Sequence, residues 1–172
     1  MPQPSKEEIE RLEKLYESLY NDERIERIMY IQQHRGSNTY FHVLKVTRTA
    51  YRIAKRCHRK IDFESLIMGA ILHDYFLYDW RVNREKKKGH GKNHPIIACA
   101  NAIRDFAINE KVQNIIISHM WPINFFCFHN CIEAHIISLA DKHVSFREAI
   151  CSKKYKEKHL QKSLETLFKL EG

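Results

Sequence analysis

Apolar residues recur along most of the chain at the three- and four-residue spacing of an amphipathic helix. Ser5 and Glu8 form a capping box before the first run, because the serine oxygen can accept from an early backbone N–H while the glutamate reaches back. The first run consists of Ile9, Leu12, Leu15, Tyr16 and Leu19, and the next of Ile25, Ile28, Met29 and Ile31. This pattern predicts an all-α fold.

Start and stop signals divide the rest of the chain into further helices. Asp62 is a plausible N-cap, and a basic loop from Arg81 to Lys92 precedes Pro95, which suits the first position of a helix. We predict helices over Thr39 to His58, Asp62 to His73, His94 to Ala107, Glu110 to His119, Cys131 to Ile150 and Ser152 to Lys169. Because no repeat or linker is visible, we predict a single domain over residues 1–172.

Composition excludes several classes of protein. The chain has 172 residues, of which 44% are hydrophobic and 29% charged, and only 5 Gly and 4 Pro. These values disfavour disorder, collagen-like repeats and a many-stranded sandwich. The longest uncharged stretch, Val112 to Ile132, contains several His and Asn residues, so we expect no transmembrane span. The N-terminal residues do not resemble a secretory signal, and we expect a cytoplasmic protein.

Charge and cysteine content indicate the kind of partner. With Lys+Arg 29 and Asp+Glu 21, the formal charge is 29 − 21 = +8, which favours anionic substrates. The cations are spread without a recognisable motif, so nucleic acid is a less favoured partner than a small phosphorylated substrate. Cys127 and Cys131, with His129 or His135, offer an incomplete zinc knuckle, and reduced thiols are the favoured interpretation. Nothing indicates the oligomeric state.

Several metal-competent side chains fall within apolar helical segments. His42, His73, His119 and Asp141 each follow or interrupt such a segment, and Asp74 comes directly after His73. A single histidine in this context is usually a hydrogen-bonded core residue. Several together favour a shared site, because a buried carboxylate is costly unless it is paired or metal-bound. Imidazoles with carboxylates are the ligands of zinc, manganese or iron.

The order of these residues resembles the HD superfamily of metal-dependent phosphohydrolases, which is named after the His-Asp dipeptide. The ordered set is His42, His73-Asp74, His94, His119 and Asp141. The resemblance covers about residues 30–150, and the surrounding sequence is similar to small stand-alone bacterial HD-domain proteins. It implies a single-domain HD-domain helical bundle with flanking N- and C-terminal helices.

The resemblance also implies a divalent metal site, with two ions of iron, manganese or zinc. His42, His73, Asp74 and Asp141 would hold one metal, and Asp74 would bridge to a second metal held by His94 and His119. His90, four residues before His94, could take its place or bind substrate. Met120 follows His119 where two-metal phosphodiesterases of the superfamily often have a second histidine, which disfavours a cyclic-dinucleotide activity.

Basic and aromatic residues near the ligands are candidates for substrate contact. Lys45 shares a helix face with His42 and is the best phosphate-binding candidate. Further candidates for substrate contact are Lys142, Lys92, Arg35 and the neighbouring His34, although such residues are more often exposed to solvent without a functional role. The aromatic run Tyr75, Phe76, Tyr78 and Trp80 either packs a helix end or stacks on a base. Phe125, Phe126 and Phe128 either form a lid or close the core.

These expectations predict a hydrolase of a phosphate ester or phosphoanhydride of a nucleotide or other small phosphorylated metabolite. A metal-activated water would be the nucleophile, with Asp74 and Lys45 as catalytic residues. One alternative is an HD-fold diiron oxygenase, which would use the same ligand order. A further alternative is a non-catalytic module that binds a ligand or nucleic acid.

Overall fold

The computed structural model describes residues 4–34, 37–81 and 84–150, and it gives no side-chain description for residues 32–34, 37 and 84–87. Arg35 and the helix predicted from Ser152 to Lys169 lie outside the described residues, as does the side chain of His34. Within the described ranges the chain is all-α, as predicted, apart from one short antiparallel hairpin.

The described part of the chain contains seven α-helices, one 3-10 helix and two short strands. The α-helices are α1 (Lys6–Tyr20), α2 (Glu23–Glu26), α3 (Thr39–Arg56), α4 (Phe63–Leu72), α5 (Arg84–Phe106), α6 (Glu110–Ser118) and α7 (Ile132–Ile150). The 3-10 helix Arg27–Tyr30 follows α2, so the second apolar run is helical only in two short pieces. Strands β1 (Gln32–His34) and β2 (Ser37–Asn38) pair antiparallel just before α3.

Short polar residues cap several of the described helices. Asp62 accepts from the backbone N–H of Ser65 at 3.0 Å, which confirms it as the N-cap of α4. The side chains of Asn38 and Asn109 cap α3 and α6 in the same way, and Ser5 accepts from the N–H of Glu8 as predicted for α1. Each cap provides a partner for a backbone N–H that would otherwise lack one, and so defines where the helix begins.

The predicted basic loop is wrong over most of its length, because α5 already begins at Arg84 and contains Pro95. Glycines and an internal proline give this segment low helix propensity. Tertiary contacts outweigh that propensity: the His90 ring stacks on Trp80 with centroids 4.9 Å apart, and its Nδ1 lies 2.9 Å from the Tyr78 hydroxyl. The added turns bring His90 and His94 onto the same helix.

The core lies where α3, α4, α6 and α7 meet. Helix α3 packs most extensively against α7 and α4, and α4 and α5 both pack against α6. The buried apolar side chains form one continuous cluster that includes α1 and the 3-10 helix. None of the described helices is both long and apolar enough to span a bilayer. This packing brings together the parts of α3 to α7 that carry the predicted ligands.

Candidate metal centre

Five helices bring the predicted metal ligands to one buried point. His42 lies in α3, His73 caps the C-terminus of α4 and Asp74 follows it. His94 lies in α5, His119 caps the C-terminus of α6 and Asp141 lies in α7. All six side chains belong to buried residues, and the most exposed of them, Asp141, is 7% exposed.

The two carboxylate oxygens of Asp74 face different pairs of histidines. Its Oδ2 lies 3.5 Å from Nε2 of His73 and 3.7 Å from Nε2 of His42. Its Oδ1 lies 3.3 Å from Nε2 of His94 and 3.8 Å from Nε2 of His119. The carboxylate of Asp74 therefore stands between two sets of imidazole nitrogens.

Asp141 completes the first set from the side of α7. Its Oδ1 lies 3.1 Å from Nε2 of His42 and accepts a hydrogen bond from the Ser145 hydroxyl at 3.1 Å. Two groups of three residues have ligand atoms close enough together to hold a metal ion. They are His42, His73 and Asp141, and His73, Asp74 and His119.

All four histidines are oriented through the ring nitrogen that faces away from Asp74. Each Nδ1 lies within 3.0 Å of an oxygen that can only accept, so each Nδ1 carries a hydrogen. The acceptors are the carbonyls of Ala70 for His73, His90 for His94 and Ile116 for His119, and the Glu148 carboxylate for His42. In neutral His73, His94 and His119 this leaves Nε2 as the lone-pair nitrogen, which is how ligating histidines are usually held. Nε2 of His42 differs, because it also faces an acceptor, Oδ1 of Asp141 at 3.1 Å.

The donor set fits a divalent metal. Nε2 of His94 and Nε2 of His119 are 3.1 Å apart, so two lone pairs face each other unless a proton or a metal ion lies between them. Nε2 of His73 is buried and makes no hydrogen bond to any described residue. Buried nitrogen atoms without a partner are rare in proteins and are explained when they coordinate a cation.

The carboxylates and imidazoles of the site shift one another's pKa values. Burial raises the pKa of Asp74, but the facing His73 and His94 outweigh burial and hold that pKa well below its usual range. Burial lowers the pKa of His42, but hydrogen bonds to Asp141 and Glu148 outweigh it and raise that pKa to about 10. The carboxylates therefore remain anionic and favour positive charge in the cavity.

His119 behaves differently from His42. Burial, and then electrostatic interaction with the neighbouring His73 and His94, lower its pKa to about 3. A neutral imidazole is the form that coordinates a metal. His119 is therefore neutral at ordinary pH, which is the form that a metal ligand requires.

The predicted substrate-contact residues have identifiable partners. Nζ of Lys45 lies 2.7 Å from Oε1 of Glu148, and the Lys45 side chain is 20% exposed. Nζ of Lys142 donates to the His119 carbonyl at 3.2 Å and to the Ser138 hydroxyl, so this lysine holds the end of α6. Lys92 is exposed, and its carbonyl accepts from the Asn124 amide at 3.0 Å.

The aromatic residues separate into a packed group and an exposed group. The Trp80 ring stacks on the His90 ring and contacts the Arg81 guanidinium, which is 5.1 Å from its centroid, so Trp80 is packed against other side chains. His90 in turn stacks on His94 with centroids 4.6 Å apart. By contrast, the side chains of Phe125, Phe126 and Phe128 are exposed and do not close the core.

The sequence prediction missed two residues that contact the site. Glu148 contacts both His42 and Lys45, and the buried Ser138 donates to the His119 carbonyl at 2.8 Å. Glu148 lies seven residues after Asp141, which is two turns along the same helix face, and this spacing is the signal that could have revealed it. The four described cysteines are free, and neither candidate metal group among the described residues contains one.

Comparison with known proteins agrees with this geometry. The family model for the HD domain matches residues 39–144, which is more than half of the chain. The chain therefore belongs to the HD domain family, whose members bind divalent metals and are generally hydrolases. All six predicted ligands lie inside the matched range, whereas Glu148 lies outside it. No curated protein and no solved structure matches the chain.

Proposed function

We propose that this protein is a metal-dependent phosphohydrolase that acts on a phosphate ester or phosphoanhydride of a nucleotide or another small phosphorylated metabolite. The observation that carries the proposal is the position of Asp74, whose two oxygens face two separate pairs of histidine Nε2 atoms. A carboxylate can bridge two cations because it has two oxygens, whereas an imidazole cannot. Membership in the HD domain family supports the same interpretation.

The proposed ligands fall into two sets that share Asp74. His42, His73, Asp74 and Asp141 would hold one ion, and Asp74, His94 and His119 the other. When bound, such a pair of divalent ions supplies an activated water and neutralises phosphoryl charge. The protein holds each imidazole by its Nδ1–H, so each ring already presents Nε2 toward Asp74, and His42 would release the proton that Nε2 shares with Asp141 when it coordinates metal.

Lys45 would supply positive charge on the substrate side of the centre. It stands three residues after His42 on α3, and its side chain is partly exposed while its ammonium group contacts Glu148. A lysine at this position can donate to a phosphoryl oxygen and stabilise the charge that develops during transfer. The net charge of +8 also favours the approach of a phosphorylated substrate.

A matched pair of variants tests the proposal. Asp74→Asn keeps the volume of the side chain and removes its charge at the shared position, whereas Asp79→Asn makes the same change at an exposed aspartate five residues later. We expect release of phosphate from a panel of nucleotides and small phosphate esters, in the presence of Mn²⁺ or Zn²⁺, to be lost in Asp74→Asn and kept in Asp79→Asn. Equal activity in the two variants would contradict the proposed site.

The same panel distinguishes the alternatives. The wild-type protein should release phosphate without consuming oxygen, which an oxygen electrode measures directly. If the protein contains iron, takes up oxygen and releases no phosphate, the hydrolase proposal is contradicted and oxygenase chemistry is supported. Ligand binding that persists in Asp74→Asn, with no turnover in the wild-type protein, would instead favour a binding module.

A further inference from the structure

Glu148 lies in the last turn of α7, and its side chain is only 8% exposed. Its two carboxylate oxygens have different partners. Oε2 lies 3.0 Å from Nδ1 of His42, and Oε1 lies 2.7 Å from Nζ of Lys45. One carboxylate therefore contacts both a proposed metal ligand and the proposed phosphate-binding lysine.

His42 differs from the other three histidines in how its ring is held. His73, His94 and His119 donate their Nδ1–H to a carbonyl three or four residues earlier in the chain, so the acceptor moves with the local backbone. The acceptor for His42 is a side chain on another helix. The orientation of the His42 ring therefore depends on the packing of α7 against α3.

We propose that Glu148 is a positioning residue of the metal centre, which orients His42 for coordination through Nε2 and keeps Lys45 at the edge of the site. This inference rests on the proposed function. A carboxylate that accepts from Nδ1–H fixes the ring and makes the opposite nitrogen a stronger ligand. Because Glu148 lies beyond the matched HD domain range, this contact is contributed by the sequence that follows the family domain.

The proposal can be tested by changing the number of hydrogen-bond acceptor oxygens on the side chain of residue 148. Both His42 Nδ1 and Lys45 Nζ donate, and the carboxylate accepts from both. A glutamine has one acceptor oxygen and one donor group, so Glu148→Gln can satisfy only one of the two. Lys45→Met removes the competing donor, and the glutamine oxygen is then available to His42.

The experiment is a calorimetric titration of the full-length, metal-stripped protein with Mn²⁺, with thermal unfolding as a check on folding. We expect Glu148→Ala to weaken Mn²⁺ binding about 10- to 100-fold, and Glu148→Gln to weaken it less. Adding Lys45→Met to Glu148→Gln should restore most of the Mn²⁺ affinity. This gain should be larger than the change that Lys45→Met causes in the wild-type protein. Arg147→Ala, at the exposed neighbouring position, is the control and should bind Mn²⁺ like the wild type.

The possible failures are distinguishable. If Glu148→Ala binds Mn²⁺ as tightly as Arg147→Ala, the positioning role is overturned and the proposed function stands. The same conclusion follows if the double variant is no tighter than Glu148→Gln. If the wild-type protein takes up no Mn²⁺ or Zn²⁺, the proposed function is overturned, and the positioning role with it.

Discussion

Gly69 allows α4 and α6 to approach closely, and we predict that Gly69→Ala disrupts the metal centre. A Cβ at this position would lie 2.5 Å from Cγ2 of Ile115 and 3.2 Å from its Cβ. Carbon atoms pack at about 3.5–4.0 Å, so the Ile115 side chain or the helices must shift by about 1 Å. Gly69 lies one turn before His73 and Ile115 one turn before His119, and these two rings have centroids 4.9 Å apart. The displacement is therefore transmitted to the site.

Two opposing effects determine the loss of stability. Overpacking a core costs about 1–3 kcal/mol, and alanine in a helix recovers about 1 kcal/mol relative to glycine. The net free energy of unfolding should fall by about 0–2 kcal/mol, which lowers Tm by up to about 8 °C. Activity should fall further, because a misplacement of about 1 Å can reduce turnover about 100-fold.

Thermal unfolding and the rate of phosphate release measure the two effects separately. Gly91→Ala is the control, since a Cβ there meets no atom within 4 Å, and it should raise stability by up to about 1 kcal/mol. Adding Ile115→Ala to Gly69→Ala should restore part of the activity, because it removes the methyl group that lies closest. A Gly69→Ala protein with wild-type Tm and wild-type turnover would refute the close-approach argument.

Two further predictions concern the ends of the helices that carry the ligands. Burial raises the pKa of Asp62, but its hydrogen bonds with Ser65 and its other partners outweigh burial and lower that pKa. Its charge therefore stabilises the fold fully above the ordinary pKa of 3.8, and this contribution is lost as the pH falls through the lowered value. Asp62→Asn keeps the cap and should lower the free energy of unfolding by about 0.3–1 kcal/mol at pH 7, measured by urea unfolding. This difference from the wild type should become smaller at acid pH. Ser138→Ala removes a donor to the buried His119 carbonyl and should cost about 1 kcal/mol in the same assay at pH 7, whereas an unchanged midpoint would show that this contact contributes nothing.

Helix positions were predictable from the sequence wherever local chemistry determines them. The N-cap at Asp62 and the start of α3 at Thr39 agree with the structure, because a short polar side chain before an apolar run defines a helix start locally. The start of α5 was wrong, because contacts of His90 with Trp80 and Tyr78 hold a segment of low helix propensity in a helix. Such contacts join residues whose proximity becomes apparent only in the folded chain.

In the candidate site, too, some features follow from local sequence and others only from contacts in the folded chain. The chain order and helical context of the predicted ligands from His42 to Asp141 were readable from the sequence, and the structure places all six side chains close together, although His94 belongs to neither group of three that could hold a metal ion. The contact of Glu148 with His42 spans 106 residues and depends on how α7 packs against α3. Likewise, the need for glycine at position 69 depends on the approach of Ile115 from α6. Both are consequences of helix packing, which local sequence patterns do not describe.

Metal content per chain tests the central claim most directly. We predict about two divalent ions per chain in protein purified without added metal or chelator, measured by elemental analysis. His94→Ala should retain about one ion, because it removes a ligand from one set only, and Asp74→Ala should retain almost none, because it removes the shared ligand. Wild-type protein without metal, or an Asp74→Ala variant with the full metal content, would contradict a metal centre built around Asp74.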